Sequence, residues 1–172
     1  MAEEHNAPDI SHMTVALSNM FKLSLNNGEK LITIRKELEM VQSYITIQKV
    51  RFDDQLIRVI TSVEEGILDL KIVKFILQPL VENAINHGIA HKDDGGIITI
   101  QIRRKENDIL ITVEDNGIGF ETHDIPIPSH GYAVRNIDDR LKLYYGADYG
   151  VQITSVPGQG TTAFVRLKAE II

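Results

Sequence analysis

The spacing of apolar residues switches between helical and alternating along the chain, and each switch marks an element. Residues 1–12 (MAEEHNAPDISH) have no period and read as a disordered or cloning-derived start. From Met13 the spacing is helical: Met13, Leu17, Met20 and Ser24 lie 4, 3 and 4 apart, until Asn26-Asn27-Gly28 breaks the run. Thr33 suits the N-cap of a second helix, although Lys36 does not complete a capping box. Ile34, Leu38, Val41, Ile45, Gln48 and Phe52 then repeat at 4, 3, 4, 3 and 4, a bundle seam with one polar member. Two uses of this seam compete. It covers the domain's own core, or the two helices form a hairpin that dimerises. The length of the strict stripe favours the second, so residues 13–54 read as a dimerisation-like helical segment.

Beyond it the period falls to two. Ile57, Val59, Thr61 and Val63 share a face, and Glu64-Glu65-Gly66 turns the chain. A helix is expected from about Val73 to His87, with Pro79 either in its first turn or at a kink. Ile98, Ile100 and Ile102, then Ile109, Ile111 and Val113, form a hairpin around Lys105-Glu106-Asn107-Asp108. Residues 116–130 carry turn chemistry without period. A helix follows from Tyr132 to Tyr145, ending at Gly146. Strands 151–156 and 161–168 close the chain around Pro157-Gly158-Gln159-Gly160. One apolar face per strand, and helices that do not alternate regularly with strands, predict an α+β fold. It would be a two-layer α/β sandwich with helices on one face of a mostly antiparallel sheet, preceded by a helical hairpin.

Composition narrows the function. At 172 residues, 43% hydrophobic and 24% charged, the chain supports one sizeable core, taken as a domain over 55–170. No apolar run approaches the roughly 20 residues of a membrane span. A net charge of −6 makes nucleic acid a poor partner. The absence of cysteine excludes disulfides, thiol nucleophiles and cysteine-ligated metals, and fits a reducing, cytoplasmic setting.

Alternation places Asp115 on the inward face with Ile109, Ile111 and Val113, where a carboxylate is costly unless paired. The glycines of Asp115-Asn116-Gly117-Ile118-Gly119 admit a close backbone or ligand, although Asp-Asn-Gly is also an ordinary turn. Asn83, Asn86 and His87 share a helix face whose oxygens suit a hard ion such as Mg²⁺, or they form a solvated helix end. His87 and His91 have zinc-pair spacing, but no third ligand is evident. Thr161 shares parity with Ala163, Val165 and Leu167, and Gly131 could offer backbone N–H groups to phosphate.

Taken in order, these segments resemble the ATP-binding domain of the GHKL superfamily (the Bergerat fold), and within it sensor histidine kinases of the LytS/YehU type. Gln78-Pro79-Leu80-Val81-Glu82-Asn83-Ala84-Ile85-Asn86-His87-Gly88 resembles the N box and Asp115-Asn116-Gly117-Ile118-Gly119-Phe120 the G1 box. Gly131-Tyr132-Ala133-Val134-Arg135-Asn136, with Arg140-Leu141 and Tyr145-Gly146, resembles the G2 region. Gly158-Gln159-Gly160-Thr161-Thr162 resembles the last glycine–threonine box, and Tyr44 to Phe52 resembles the family segment before the first strand. Four boxes in order at compatible spacings are a specific signal.

The resemblance implies a catalytic domain that donates the γ-phosphoryl group of Mg-ATP to a histidine outside this stretch. Asn83 would ligate Mg²⁺, Asp115 would accept the adenine amino group, and Thr161 would support the base. Further ATP contacts would come from Asn86, His87, Gly117, Gly119, Gly131, Arg135, Asn136 and Gly160, with residues 120–131 as a lid. No catalytic side chain is firmly assigned, and Glu82 is the candidate. Ala133 replaces the second glycine of the G2 box, and Asn86 stands where a basic residue is common. Pro79 takes the place of the water-activating acid of the ATPase branches, which favours transfer over hydrolysis. No acceptor-like Asn-Pro-His-Phe segment occurs. The resemblance therefore implies the C-terminal, cytoplasmic part of a membrane sensor, homodimeric through its N-terminal helices and serving a response regulator. The alternatives are a non-catalytic nucleotide-binding or dimerisation module and a GHKL ATPase of another branch.

Overall fold

Inward-facing isoleucines and valines build the sheet, and its strands follow the alternation. The computed structural model describes residues 13–18, 21–22, 29–52, 56–121 and 132–169. Its elements are β1 (Leu31–Thr33), α1 (Ile34–Phe52), β2 (Ile57–Val63), β3 (Lys71–Val73), α2 (Leu77–Asn83, prolonged by a π-helical turn over Ala84–Ile89), β4 (Gly96–Lys105), β5 (Asp108–Asp115), α3 (Tyr132–Tyr145), β6 (Gly150–Val156) and β7 (Gly160–Lys168). Residues 13–18 and 21–22 are also helical. The main sheet has the order β2-β4-β5-β7-β6, parallel between β2 and β4 and antiparallel elsewhere. β1 and β3 form a separate antiparallel pair. Ile98, Ile100, Ile102, Ile109, Ile111, Val113, Val165 and Leu167 fill one face of the sheet and share a core with residues of all three helices. This is the expected mostly antiparallel sheet with helices on one face.

The helix expected from Val73 starts later. Val73 belongs to β3, opposite Leu31, and α2 opens at Leu77. Between them Phe75 has φ 60°, a left-handed conformation that interrupts any helix running through it. Pro79 therefore sits in the first turn, where its missing N–H leaves no bond unmade. At the other end the π-helical turn carries the helix past His87 to Ile89.

The seam of α1 is used inside the chain. Ile34, Val41 and Ile45 are buried in the core that the sheet also lines, and Leu38 and Phe52 pack at its margin. Of the two uses weighed for this seam, α1 takes the first. Backbone bonds from Ile34 to Leu70 and from Arg35 to Leu68, with the Arg35–Asp69 ion pair, fasten its start to the loop before β3. The earlier helical stretch differs. Val15, Leu17 and Phe21 are 58, 48 and 60% exposed, and only Ala16 is buried. Met20, Ser24 and the Asn26-Asn27-Gly28 break lie outside the described residues, as do residues 1–12.

Candidate functional site

Strand register sets four side chains side by side at one end of the inner face. Ile98 of β4 pairs with Asp115 of β5, Asp115 with Thr161 of β7, and Thr161 with Ser155 of β6. An apolar face thus ends in a carboxylate and two hydroxyls. Asp115 is 5% exposed and forms no ion pair among the described residues. Its Oδ1 accepts the Gly117 N–H at 2.8 Å, so the turn reading of Asp-Asn-Gly is also correct. Burial pushes the Asp115 carboxyl above the usual carboxylate range, against the backbone N–H groups of Gly117 and Thr161, which pull it down. Ser155 Oγ lies 2.9 Å from both the Gly160 carbonyl oxygen and Thr161 Oγ1, and accepts the Phe120 N–H at 3.0 Å.

Two glycines let the helix, the strand end and the loop meet. A Cβ on Gly88 would stand 2.7 Å from Asp115 Oδ1, and one on Gly117 would stand 2.4 Å from the Gly88 backbone. The loop after Asp115 is pinned on both flanks: the Ile118 N–H donates to the Gly88 carbonyl and the Gly158 N–H to the Ile118 carbonyl. Asn116 caps the sheet, its Oδ1 accepting the Ile97 N–H at 2.7 Å.

These elements enclose a cavity of about 500 Å³. Asn83, His87, Asp115, Gly119 and Thr161, all predicted site residues, line it. Leu80, Val113, Val134, Ile153 and Ala163 supply apolar walls, joined by Ile118 and Phe120 from the loop. Gly117 and Gly160 lie just behind it, against Asp115. The other predicted residues are placed differently. Glu82 Oε1 accepts from Gln78 Nε2 at 2.9 Å, outside the lining. The Asn86 side chain lies beside the Tyr44 hydroxyl of α1. Arg135 and Asn136 are on the exposed side of α3, Arg135 3.7 Å from Asp139. Gly131 and most of the expected lid lie outside the described residues.

A half-enclosed slot with apolar walls and one buried carboxylate suits a flat heterocycle bearing a donor edge. The model of the histidine kinase-, DNA gyrase B-, and HSP90-like ATPase family matches residues 68–171, and that of the histidine kinase family matches residues 1–56. The chain belongs to the histidine kinase-, DNA gyrase B- and HSP90-like ATPase family. Membership implies ATP binding. Sensor protein LytS of Oceanobacillus iheyensis is 36% identical across 93% of this chain and 29% of its own length. Sensor histidine kinase BtsS of Escherichia coli is 30% identical across 91% of this chain and 27% of its own. The chain therefore spans under a third of these relatives. Among solved structures, the histidine kinase domain of the Erythrobacter litoralis EL346 blue-light activated histidine kinase superposes with a TM-score of 0.61 at 16% identity, over 93% of this chain and 74% of that one. That likeness concerns the fold. No helix among the described residues is long and apolar enough to cross a membrane.

Sequence reading missed Ser155, although the turn at 157–159 pairs it with Thr161. It also missed Glu37, which lies beside the α1 seam and is fully buried.

Proposed function

We propose that this chain is the ATP-binding catalytic part of a sensor histidine kinase, passing the γ-phosphoryl group of ATP to a histidine elsewhere in a longer protein. The observation that carries the reading is the buried carboxylate of Asp115 at the cavity wall, with one oxygen already taken by Gly117. The carboxylate keeps acceptor capacity beyond the Gly117 and Thr161 N–H groups, and that capacity takes the adenine amino group, with the Thr161 and Ser155 hydroxyls extending the polar edge. Asn83 faces the same cavity and offers one hard oxygen; Mg²⁺ needs few protein ligands where phosphates and water supply the rest, so the donor set fits. Bound there, Mg²⁺ would neutralise phosphate charge. Arg135 and Asn136 follow Gly131 at the start of α3 and would meet the phosphates, with His87 on the cavity wall.

The family likeness supports a response regulator as downstream partner, a cytoplasmic setting, and a homodimer. With the α1 seam used internally, the exposed Val15, Leu17 and Phe21 are the dimerising face. A second reading, nucleotide binding without transfer, draws on Asn86, which lies beside Tyr44 and carries no positive charge for phosphate.

Calorimetry with Mg-ATP, followed by ADP release over time, tests the proposal. Binding with slow turnover supports it, and rapid hydrolysis favours an ATPase. A chain that binds no nucleotide overturns it. Adding the relatives' acceptor segment in trans should yield acid-labile phosphate, and binding without such transfer favours the second reading.

A further inference from the structure

Among the described residues, the most deeply buried ionisable side chain lies outside the cavity. Glu37 of α1 is 0% exposed, and its carboxylate accepts the N–H groups of Phe75, Ile76 (3.1 Å) and Leu77 (3.0 Å). These donors lie at the start of α2, whose own N-cap residue, Ile76, makes no side-chain cap bond. A helix begins with unpaired N–H groups and a partial positive charge, and an anion there satisfies both. Pro79 removes one of the orphan donors, and Glu37 takes the Leu77 N–H. So α1 supplies the cap that α2 lacks.

Two further ties converge on the same elements. Arg140 of α3 donates to the Phe75 carbonyl at 2.7 Å, and Tyr145 of α3 accepts the Val73 N–H at 3.2 Å. Seven residues after Glu37, two turns along α1 and hence on the same face, Tyr44 brings its hydroxyl beside the Asn86 side chain near the far end of the α2 helix. α1 therefore grips the helix carrying Asn83 at both ends, while α3 holds the segment leading into it.

We infer that Glu37 is a positioning residue for the phosphate half of the nucleotide site, with Tyr44 as its second point of hold. Asn83 and His87 are presented on α2 and its π-helical turn, and their placement depends on where that helix starts and ends. Asp115 and Thr161, which read the base, are carried by β5 and β7, and Glu37 touches neither strand. The inference rests on the ATP reading of the cavity.

Affinities for adenosine and Mg-ATP test it on the intact chain, at a temperature where each protein is folded. Glu37→Gln keeps the shape but halves the number of strong acceptors. It should weaken Mg-ATP about five- to tenfold and leave adenosine within about twofold, a coupling of ordinary size. Tyr44→Phe removes one hydroxyl from a residue that will still pack, and carries the test should Glu37→Gln fail to fold. It should show the same split at about two- to threefold. A merely structural role moves both ligands together. Equal weakening of both ligands, or none, overturns the inference while leaving the ATP reading intact. A wild type that binds neither ligand overturns the ATP reading, and the inference falls with it.

Discussion

Asp115→Asn makes a sharper prediction than loss of function. The carboxylate has one oxygen engaged by the Gly117 N–H at 2.8 Å. An asparagine in the same pose must keep an acceptor there, because turning its NH₂ toward that N–H would leave two buried donors facing each other, a cost of about 1–3 kcal/mol. Its NH₂ therefore takes the position of the other oxygen, where the proposal puts the adenine amino group. That replaces a charge-assisted bond, about 1.5–3 kcal/mol, with a donor–donor conflict. A combined loss near 3 kcal/mol weakens ATP roughly 10²-fold. Guanine presents a carbonyl oxygen at that edge, so the same amide gains a partner. Wild type should reject GTP, and Asp115→Asn should bind GTP more tightly than ATP. Calorimetry of four combinations, two proteins and two nucleotides, reads this directly. Equal ATP affinity in both proteins refutes the assignment of Asp115. Loss of ATP without gain of GTP refutes the orientation argued from Gly117.

Other outcomes follow from the same contacts. Burial raises the Asp115 pKa above its unfolded value, so the folded chain holds this proton more firmly and the carboxyl costs stability once it ionises. The melting-temperature advantage of Asp115→Asn without nucleotide should be full above the folded pKa and shrink as pH falls through it toward about 3.9; a gap that is constant with pH contradicts the effect of burial. Gly117→Ala sets a Cβ 2.4 Å from Gly88 backbone and Gly88→Ala sets one 2.7 Å from a side-chain oxygen, so Gly117→Ala should cost more, with overpacking losses of about 1–3 kcal/mol in urea titration; the reverse order would mean the loop yields more easily than Asp115. Ile45→Ala should cost about 2–5 kcal/mol independently of protein concentration, because Ile45 is buried within its own chain; a strongly concentration-dependent loss would place it at an interface. Phe21→Asp should reduce the mass seen by light scattering from dimer to monomer, and an unchanged dimer removes that face from consideration.

What was legible in the sequence depended on how local its cause was. Strands of period two announce which way each residue points, so Asp115 and Thr161 could be placed inward from their neighbours alone. The same arithmetic across the last hairpin would have found Ser155. The α1 stripe was equally legible, but not its partner: a heptad seam looks the same whether it meets a second copy or the chain's own α2 and sheet. Beside it, Glu37 and Tyr44 sit seven residues apart on a buried flank. Polar residues there were a signal, yet Glu37's partners lie some forty positions away, in a segment whose left-handed Phe75 nothing in the local pattern announces. That conformation also explains the misplaced helix start at Val73.

The site's two halves also bear on what the chain does with a bound phosphate. Hydrolysis needs a base held against water beside the γ-phosphate. One helical turn before Asn83 stands Pro79, which has no acid or base to offer and is fixed in the first turn of α2. The carboxylate next to Asn83 in sequence, Glu82, has an oxygen occupied by Gln78 and is not among the cavity walls. A base turned away from the cavity in the isolated chain is poorly placed to activate water. It can still meet a hydroxyl or imidazole brought in from outside along that flank of α2. The arrangement thus favours a nucleotide kept intact until an acceptor docks, as a transferase requires and an ATPase does not. The slow turnover expected of the isolated chain follows from where Pro79 and Glu82 sit, and does not need a weak nucleotide site.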